Sequence, residues 1–256
     1  MNIEEPDLKL FEKNYLSGKT QILFHSFSAD IHTPVSILIQ LQKENYVFLF
    51  ESVEKGSQKG RYSVIGIKPD LIWECKDNRC SITNFVTSRK KKFDKKEPLL
   101  SLSSFIKNNK IKLPEQLPSI SSGIFGYMGY EMIKFFENVK LNKKNSLNLP
   151  DSIFIRPSVT LVFDNVNDKI IISQIVTNNK ENKASQAFKK VKKTIYELKK
   201  TICKPIKKKY FVEKELNKSL DIFKNVKSST TYEEFKVMVN KAKKYINEGE
   251  IFQVVL

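Results

Sequence analysis

Four short, strongly β-favouring segments follow one another between residues 46 and 86, and they limit the possible folds more than any other feature of the sequence. Each segment is rich in aromatic or β-branched residues, and glycine, proline, aspartate or asparagine separates it from the next. The segments cover residues 46–52, 61–67, 71–76 and 81–86. Their connections are too short for the helical crossovers that parallel strands need, so the pattern predicts an antiparallel meander.

Helices are predicted on both sides of this β-rich region. Thr33 is suited to be the N-cap of a helix that begins at Pro34, and Gly18 ends an earlier helix. The other predicted elements are helices at residues 7–16, 97–108, 131–136, 181–203 and 232–248, and strands at residues 154–163, 169–175 and 251–256. The turn-like sequence DNVND joins the first two of these strands, which predicts a hairpin. The expected fold class is therefore α+β, with antiparallel β-sheets flanked by helices.

The formal net charge of +17 raises the question of a nucleic-acid partner. Most of this charge is lysine, spread through helices and loops, and a lysine neutralises phosphate without the bidentate geometry that reads a base. The arginines are Arg61, Arg79, Arg89 and Arg156. We therefore expect solvated helix faces and no specific nucleic-acid partner. The positive charge would also raise the local concentration of an anionic substrate.

Several other classes of protein are disfavoured. The sequence has no apolar run of about eighteen residues and no signal-peptide pattern in its first ten residues, which predicts a cytoplasmic protein without a membrane partner. Three cysteines without C-x-x-C spacing favour reduced thiols. His25 and His32 are the only histidines, which leaves little material for a catalytic triad or a histidine metal site.

Glycine recurs every third residue in the segment GIFGYMGYE, at Gly123, Gly126 and Gly129. This spacing matches neither the dinucleotide-binding pattern nor the phosphate-binding loop, so it does not support a nucleotide site. The glycines instead predict close backbone approach, where a strand gives way to a short helix.

Polar side chains gather where two of the predicted strands meet. Glu51 and Ser52 end an aromatic strand, and residues 61–63 begin the next one. Strand alternation places Ser52 on the face of Phe48 and Phe50, and Glu51 on the opposite face with Leu49. Polar groups at the mouth of an apolar layer suit a small ligand, and they also suit an ordinary hairpin end.

Four longer segments carry a family resemblance. They are ADIHTPVSILIQL at residues 29–41, FLFESVEKGSQKGRYSVIG at residues 48–66, GIFGYMGYEMIKFFE with LPDSIFIRPSVTLVFD at residues 123–137 and 149–164, and EFKVMVNKAKKYINEGEIFQVVL at residues 234–256. In this order and at these separations they resemble anthranilate synthase component I across nearly the whole chain. Aminodeoxychorismate synthase component I is the alternative enzyme, and a free-standing amino-acid-binding module is the alternative from another class.

The resemblance implies a lyase of tryptophan biosynthesis that converts chorismate, with ammonia or glutamine, to anthranilate and pyruvate. A glutamine amidotransferase subunit, component II, is the implied partner, and Mg²⁺ is the implied cofactor. The catalytic histidine and the magnesium-binding glutamates of the family are expected beyond Leu256. No catalytic, cofactor-binding or metal-binding residue is therefore assigned to this chain, which is expected to be a truncated and inactive N-terminal portion.

The resemblance also implies a division of the chain and a regulatory site. Residues 1–203 would form the N-terminal domain, residues 204–229 a connecting segment, and residues 230–256 the incomplete start of the chorismate-binding domain. The L-L-E-S motif, which in this family helps to bind the feedback inhibitor L-tryptophan, falls on residues 49–52. Glu51 and Ser52 are thus the implied tryptophan-binding residues, although the remaining wall of that pocket is expected beyond Leu256.

Overall fold

The chain forms two compact units, Met1–Ile206 and Lys207–Leu256. The computed structural model describes residues 7–53, 59–87, 90–141, 147–178, 182–206 and 226–256. Most of the predicted connecting segment, residues 207–225, lies outside the described residues, as does the loop at residues 54–58. The predicted division into family domains stays a prediction.

The described residues of the first unit form an antiparallel eight-stranded sheet with four α-helices, which confirms the predicted fold class. The strands are β1 (Gln21–Ser28), β2 (Phe48–Val53), β3 (Lys59–Lys76), β4 (Arg79–Asn84), β5 (Lys90–Asp94), β6 (Phe125–Met128), β7 (Ser152–Asp164) and β8 (Lys169–Val176). The α-helices are α1 (Leu8–Leu16), α2 (Pro34–Leu41), α3 (Pro98–Asn108), α4 (Ala184–Ile202) and, in the second unit, α5 (Tyr232–Asn247). Short 3₁₀ helices cover Ser119–Ser121 and Tyr130–Phe135.

Two long strands, β3 and β7, form the centre of the sheet and pair from Tyr62↔Asp164 to Cys75↔Ser152. The free edge of β3 pairs first with β2 and then with β4, while β8 and β6 share the free edge of β7. The two strands predicted at residues 61–67 and 71–76 are thus one strand. Pro69 does not interrupt it, because Pro69 stands opposite Pro157 beside a register shift, where the ladder is already irregular.

Apolar side chains pack in three clusters around this sheet. One face of the sheet packs against α1, α2 and α4 through residues such as Phe11, Ile37, Ile65, Leu161, Ile172 and Ile195. The opposite face carries Phe24, Val64, Val162 and Ile171, with Leu117 packed against them. A third cluster joins the far half of β3 to α3 through Trp73, Cys75, Cys80, Leu102 and Phe105, together with Met132.

Side-chain caps mark the starts of α1, α2 and α5. The Asp7 carboxylate accepts a hydrogen bond from the Leu10 amide at 2.8 Å, and Thr33 and Ser36 form a reciprocal capping box at the start of α2. In the second unit, Thr231 and Glu234 cap α5 in the same way, and Gly249 adopts φ +77° beyond its end. No described helix is both long and apolar enough to cross a membrane.

The close backbone approach predicted for the glycine-rich segment is clearest at Gly126 in β6. A β-carbon at this position would lie 1.9 Å from the carbonyl oxygen of Ile153 in β7. The helix predicted at residues 131–136 is present as the 3₁₀ helix Tyr130–Phe135. Glycine therefore allows β6 to pair with β7 at the point where the chain turns into that helix.

The strands of the structure differ from the predicted strands in two ways. Two strands, β1 and β5, were not predicted, whereas the strand predicted to precede the short helix of the glycine-rich segment is present as β6. The strand predicted at residues 251–256 was wrong, since these residues form no regular element. An apolar run does not make a strand by itself, because the backbone groups of a strand need a paired neighbour, and the described part of the second unit contains no strand.

Candidate functional site

The candidate site lies at the end of β2, where its pairing with β3 becomes irregular. Glu51 pairs with Ser63 and Val53 with Lys59, so Ser52 alone stands opposite the three residues from Gly60 to Tyr62. Such irregularities re-aim side chains and often occur beside binding sites. The sequence motif at residues 51–52 therefore coincides with a local change in sheet geometry.

Two glycines of β3 make room for the side chains of β2. A β-carbon at Gly60 would lie 2.0 Å from Oγ of Ser52, and one at Gly66 would lie 2.2 Å from the ring of Phe48. Both distances are far below van der Waals contact, so neither position has space for a larger residue. Ser52 and Phe48 consequently lie close against the backbone of β3.

Three phenylalanine rings form an aromatic cluster on this face. Phe48 lies 5.3 Å from Phe50 and 5.0 Å from Phe125, and the Phe50 and Phe125 rings stack with centroids 6.1 Å apart. Phe50 remains 47% exposed. The cluster therefore presents a partly open aromatic surface next to the exposed Ser52.

The predicted alternation of β2 is present, and it separates the two predicted site residues. Val47 and Leu49 pack against the core cluster on the helix-covered face, opposite the phenylalanine rings. Alternation places Glu51 on that same side and Ser52 with the aromatic cluster. Both residues are exposed at the strand end, so they occupy one location without sharing a face.

The turn after β7 holds the backbone of β3 opposite Ser52. The Asn165 side chain donates to the Gly60 carbonyl at 2.7 Å, and the Asn165 amide donates to the Arg61 carbonyl at 2.8 Å. The guanidinium of Arg61 stands over the Tyr62 ring at 4.8 Å and donates to the Asp164 carboxylate at 3.4 Å. A cation and an aromatic ring are thus fixed beside the irregularity.

The carboxylate of Asp164 accepts the hydrogen bonds that hold this turn together. Burial by itself would raise its pKa, but hydrogen bonds from Asn167, Arg61 and backbone amides favour the carboxylate more strongly, and the pKa is lowered. The hydrogen bond from Arg61 to Asp164 in turn raises the pKa of Arg61. Both groups are charged near neutral pH, so the turn stays intact there.

The site combines three kinds of chemical group: the aromatic surface of the phenylalanine cluster, the hydroxyl of Ser52 and the nearby guanidinium of Arg61. These groups can hold an aromatic ligand with a polar or zwitterionic head. Among the described residues, no group of three or more His, Cys, Asp or Glu side chains could hold a metal ion. The described residues therefore supply no cluster that fits Mg²⁺, and no chemical step is assigned to one here.

The other chemically distinctive side chains lie away from Ser52. His25 contacts the Lys199 amine at 3.1 Å, and His32 lies 3.8 Å from the exposed thiol of Cys203. Cys75 and Cys80 are buried and face each other across the β3–β4 hairpin. All three cysteines are free thiols, as predicted.

Sequence reasoning missed two residues that build the site, Phe125 and Asn165. Phe125 comes from the glycine-rich segment that forms part of the family resemblance. The motif therefore marked this segment as important, but it did not show where Phe125 would lie in the fold. Asn165 lies in the predicted hairpin turn, whose sequence indicates a turn but not which backbone it will bind. Only pairing of β6 and β3 with β7 brings Phe125 to the phenylalanine rings of β2 and Asn165 to the stretch of β3 that faces Ser52.

Comparison with known proteins identifies a family and a set of relatives. Residues 47–256 match the family described as chorismate binding enzyme. Curated relatives include proteins named anthranilate synthase component 1 from Cereibacter sphaeroides, 32% identical over 96% of this chain and 49% of the relative, and from Synechocystis, 32% identical over 98% and 50%. A further relative of that name, from Aquifex aeolicus, is 28% identical over 100% of this chain and 50% of its own length.

A solved structure of anthranilate synthase component I from Streptococcus pneumoniae is also similar. It is 19% identical, with a TM-score of 0.48, and the match covers 77% of this chain and 41% of that one. The chain spans about half the length of the curated relatives it matches.

Proposed function

The chain belongs to the family of chorismate-binding enzymes, and from that membership we propose that it is part of an anthranilate synthase large subunit. The proposed reaction is that of a lyase, which converts chorismate and ammonia or glutamine to anthranilate and pyruvate in tryptophan biosynthesis. The observation that carries the proposal is the set of relatives named anthranilate synthase component 1, aligned over 96% or more of this chain at 28–32% identity.

The regulatory role proposed for this half rests on the end of β2. The aromatic cluster of Phe48, Phe50 and Phe125 would contact the indole of L-tryptophan, and Ser52 would bind its polar head. Glu51 lies on the other face of the strand, so its proposed part is limited to the strand end, where it or neighbouring carbonyls would accept from the ammonium group. This arrangement supports feedback inhibition by tryptophan.

The proposed partners and cofactor follow from the family and concern the complete enzyme. A glutamine amidotransferase subunit would supply ammonia, and Mg²⁺ would be held by residues in the half of the relatives that this chain does not cover. The resemblance assigns the catalytic histidine to that half too. We therefore propose that the 256 residues alone do not consume chorismate.

A cytoplasmic location is part of the same proposal. Cys75 and Cys80 are buried, free cysteines although they are direct cross-strand neighbours. Thiols in such an arrangement are expected to persist in a reducing compartment, and cross-strand cysteines of oxidising compartments are commonly joined. The exposed thiol of Cys203 is consistent with the same environment.

Anthranilate formation tests the proposed reaction directly. The gene's full coding sequence should be expressed, and the encoded protein supplied with chorismate, ammonium and magnesium. Formation of anthranilate is followed by its fluorescence. We expect anthranilate and pyruvate in equal amounts. Production of aminodeoxychorismate without anthranilate would contradict the proposal, and turnover by the purified 256-residue chain would contradict its inactive part.

A further inference from the structure

A cluster of reactive side chains lies on the helix-covered face of the sheet, where β1 meets the end of α4. Phe27 of β1 packs against the core cluster of that face, and its ring centroid lies 6.4 Å from that of His32, which precedes α2. Nε2 of His32 lies 3.8 Å from Sγ of Cys203, the C-cap residue of α4. The cluster therefore places a nucleophile beside a base, whereas Ser52 lies with the phenylalanine rings on the opposite face.

Cys203 differs from the other two cysteines in its access to solvent. Cys75 and Cys80 are buried, and burial, followed by the facing Cys80, raises the pKa of Cys75 to about 12, which keeps that thiol protonated and inert. Cys203 is exposed, and its backbone amide donates to the Lys199 carbonyl at 3.1 Å. The end of α4 thus holds an accessible thiol at a fixed position.

His32 can act as the base for this thiol. Its side chain is partly buried, and this burial lowers its pKa from the ordinary value of 6.5, so the imidazole is neutral near pH 7. In the tautomer that is protonated at Nδ1, Nε2 can accept the thiol proton after a small side-chain rotation. Because an ordinary thiol is only a few per cent ionised at pH 7, a neighbouring base increases the amount of reactive thiolate.

The charged groups around the cluster favour an anionic reaction partner. The ammonium group of Lys199 stands over the Phe27 ring at 4.7 Å and lies 3.1 Å from Nε2 of His25. No carboxylate contacts Lys199 among the residues that the structure describes. Lys200 and Lys204 lie on either side of the thiol in the sequence. A small molecule with carboxylate groups would be attracted to this surface.

We propose that Cys203 is a modification site, which forms a mixed disulfide with the disulfide of a small acidic thiol, and that His32 serves as its base. The Cys203 proton passes to Nε2 of His32, and the thiolate attacks one sulfur of the small disulfide. The bond between the two sulfurs of that molecule breaks, and its electron pair leaves with the second sulfur, which takes the proton back from His32. Cys203 is oxidised to the mixed disulfide, and the departing half is reduced to a thiol.

This site is additional to the proposed reaction and to the proposed tryptophan site. Its chemistry needs neither chorismate nor tryptophan, so it can be tested without turnover. Failure of the modification is therefore distinguishable from failure of the proposed function.

The unmodified 256-residue chain and glutathione disulfide at pH 7 provide the first test. Mass spectrometry of the intact chain and of its peptides should show one adduct, at Cys203, while Cys75 and Cys80 stay unmodified in the folded protein. The comparison is a synthetic peptide of residues 199–206, which keeps the neighbouring lysines but lacks His32. The folded chain should react at least about tenfold faster than the peptide, below the usual contribution of a general base because this pair is exposed.

His32→Gln separates the base from a structural role, because glutamine accepts a hydrogen bond but cannot take up a proton. At pH 7 the variant should react about tenfold more slowly than the unmodified chain. At about pH 9.5, above the ordinary thiol pKa of about 8.5, a thiol ionises without a base, so the two rates should be equal. A purely structural effect of His32 would change the rate at both pH values.

Lys199→Met tests the preference for an anion. It should slow the reaction with glutathione disulfide at least about twofold at low salt, and it should not slow the reaction with cystamine, a positively charged disulfide. Lys193→Met is the matched control, since Lys193 lies on the same helix with its side chain 75% exposed and contacts Glu197.

Three outcomes would overturn the proposal. The first is the absence of an adduct at Cys203, or a rate in the chain equal to that in the peptide. The second is an equal loss in His32→Gln at both pH values, which would remove His32 as the base. The third is an equal response of Lys199→Met and Lys193→Met, which would remove the preference for an acidic disulfide. The comparison of chain and peptide remains decisive even where a variant fails to fold.

Discussion

The guanidinium of Arg156 donates two hydrogen bonds of 2.7 Å to the carboxylate of Asp70, beside the register shift in the pairing of β3 with β7. Their side chains are 10% and 7% exposed. A third donor of the same guanidinium contacts the side-chain oxygen of Asn109 at 2.9 Å, just beyond α3. This bidentate pair ties the two halves of the sheet to the end of that helix.

Replacing Arg156 with methionine is expected to destabilise the first unit by about 3–5 kcal/mol, because Asp70 would remain buried without its partner. Arg61→Met is the matched control. Arg61 also contacts an aspartate, but its side chain is 53% exposed, so its loss should cost at most about 1 kcal/mol. Urea unfolding followed by the fluorescence of Trp73, the single tryptophan, measures both. Equal losses in the two variants would contradict the structural importance of the buried pair.

Gly126→Ala should disrupt the pairing of β6 with β7. The new methyl group would lie 1.9 Å from the Ile153 carbonyl oxygen, and a backbone atom cannot move aside as a flexible side chain does. We expect a loss above about 2 kcal/mol, the range of overpacked core positions. Gly123→Ala is the control, since its nearest new contacts are at 3.4 Å with a side chain. Similar unfolding midpoints for both variants would disprove the close approach of β6 and β7.

The buried thiol of Cys75 predicts a loss of stability in alkali. Burial, and then the facing Cys80, raise the Cys75 pKa from its ordinary value of 9.0 to about 12. Above pH 9 the unfolded chain loses this proton while the folded chain keeps it, so the free energy of unfolding should fall as the pH rises from about 9 to about 12.

A Cys75→Ser variant supplies the comparison, because serine does not ionise in this range. Its free energy of unfolding should fall less steeply between pH 9 and pH 12 than that of the unsubstituted chain. Denaturant unfolding at a series of pH values gives both slopes. Parallel slopes would show that the Cys75 thiol ionises equally well in the folded and unfolded chains.

Ser52→Phe is expected to relieve inhibition by tryptophan in the complete enzyme. The larger side chain would occupy the space beside Phe50 that the proposed ligand needs, while the reacting groups lie elsewhere. The measurement is the tryptophan concentration that halves anthranilate formation, which should rise by more than about tenfold with little change in uninhibited turnover.

Ser36→Ala, in the capping box of α2, serves as a control for general destabilisation. Like Ser52→Phe, it removes a serine hydroxyl from the first unit, but it lies away from the aromatic cluster. An unchanged half-inhibiting concentration in Ser52→Phe, or an equal change in Ser36→Ala, would remove Ser52 from the tryptophan site.

Structural features that depend on only a few neighbouring residues were predicted well. Thr33-Pro34 located the start of α2 because a cap forms between residues three positions apart. The hairpin of β7 and β8 was predicted from two β-branched runs around a polar turn. By contrast, β5, whose sequence is KKKFD, was missed because its lysines have little strand preference and only pairing with β4 makes it a strand.

The sequence by itself determined the family and the α+β class, because both depend on the order of segments along the chain. It also determined that Glu51 and Ser52 lie at a strand end and on which face each lies, because side chains alternate along a strand with a period of two residues. Tertiary structure alone decided that Phe125 contacts Phe48 and Phe50 of β2, that Asn165 binds the backbone of β3 opposite Ser52, and that Pro69 can sit within a long strand. These relationships join residues distant in the chain, and they arise from strand register and packing, which no local pattern encodes.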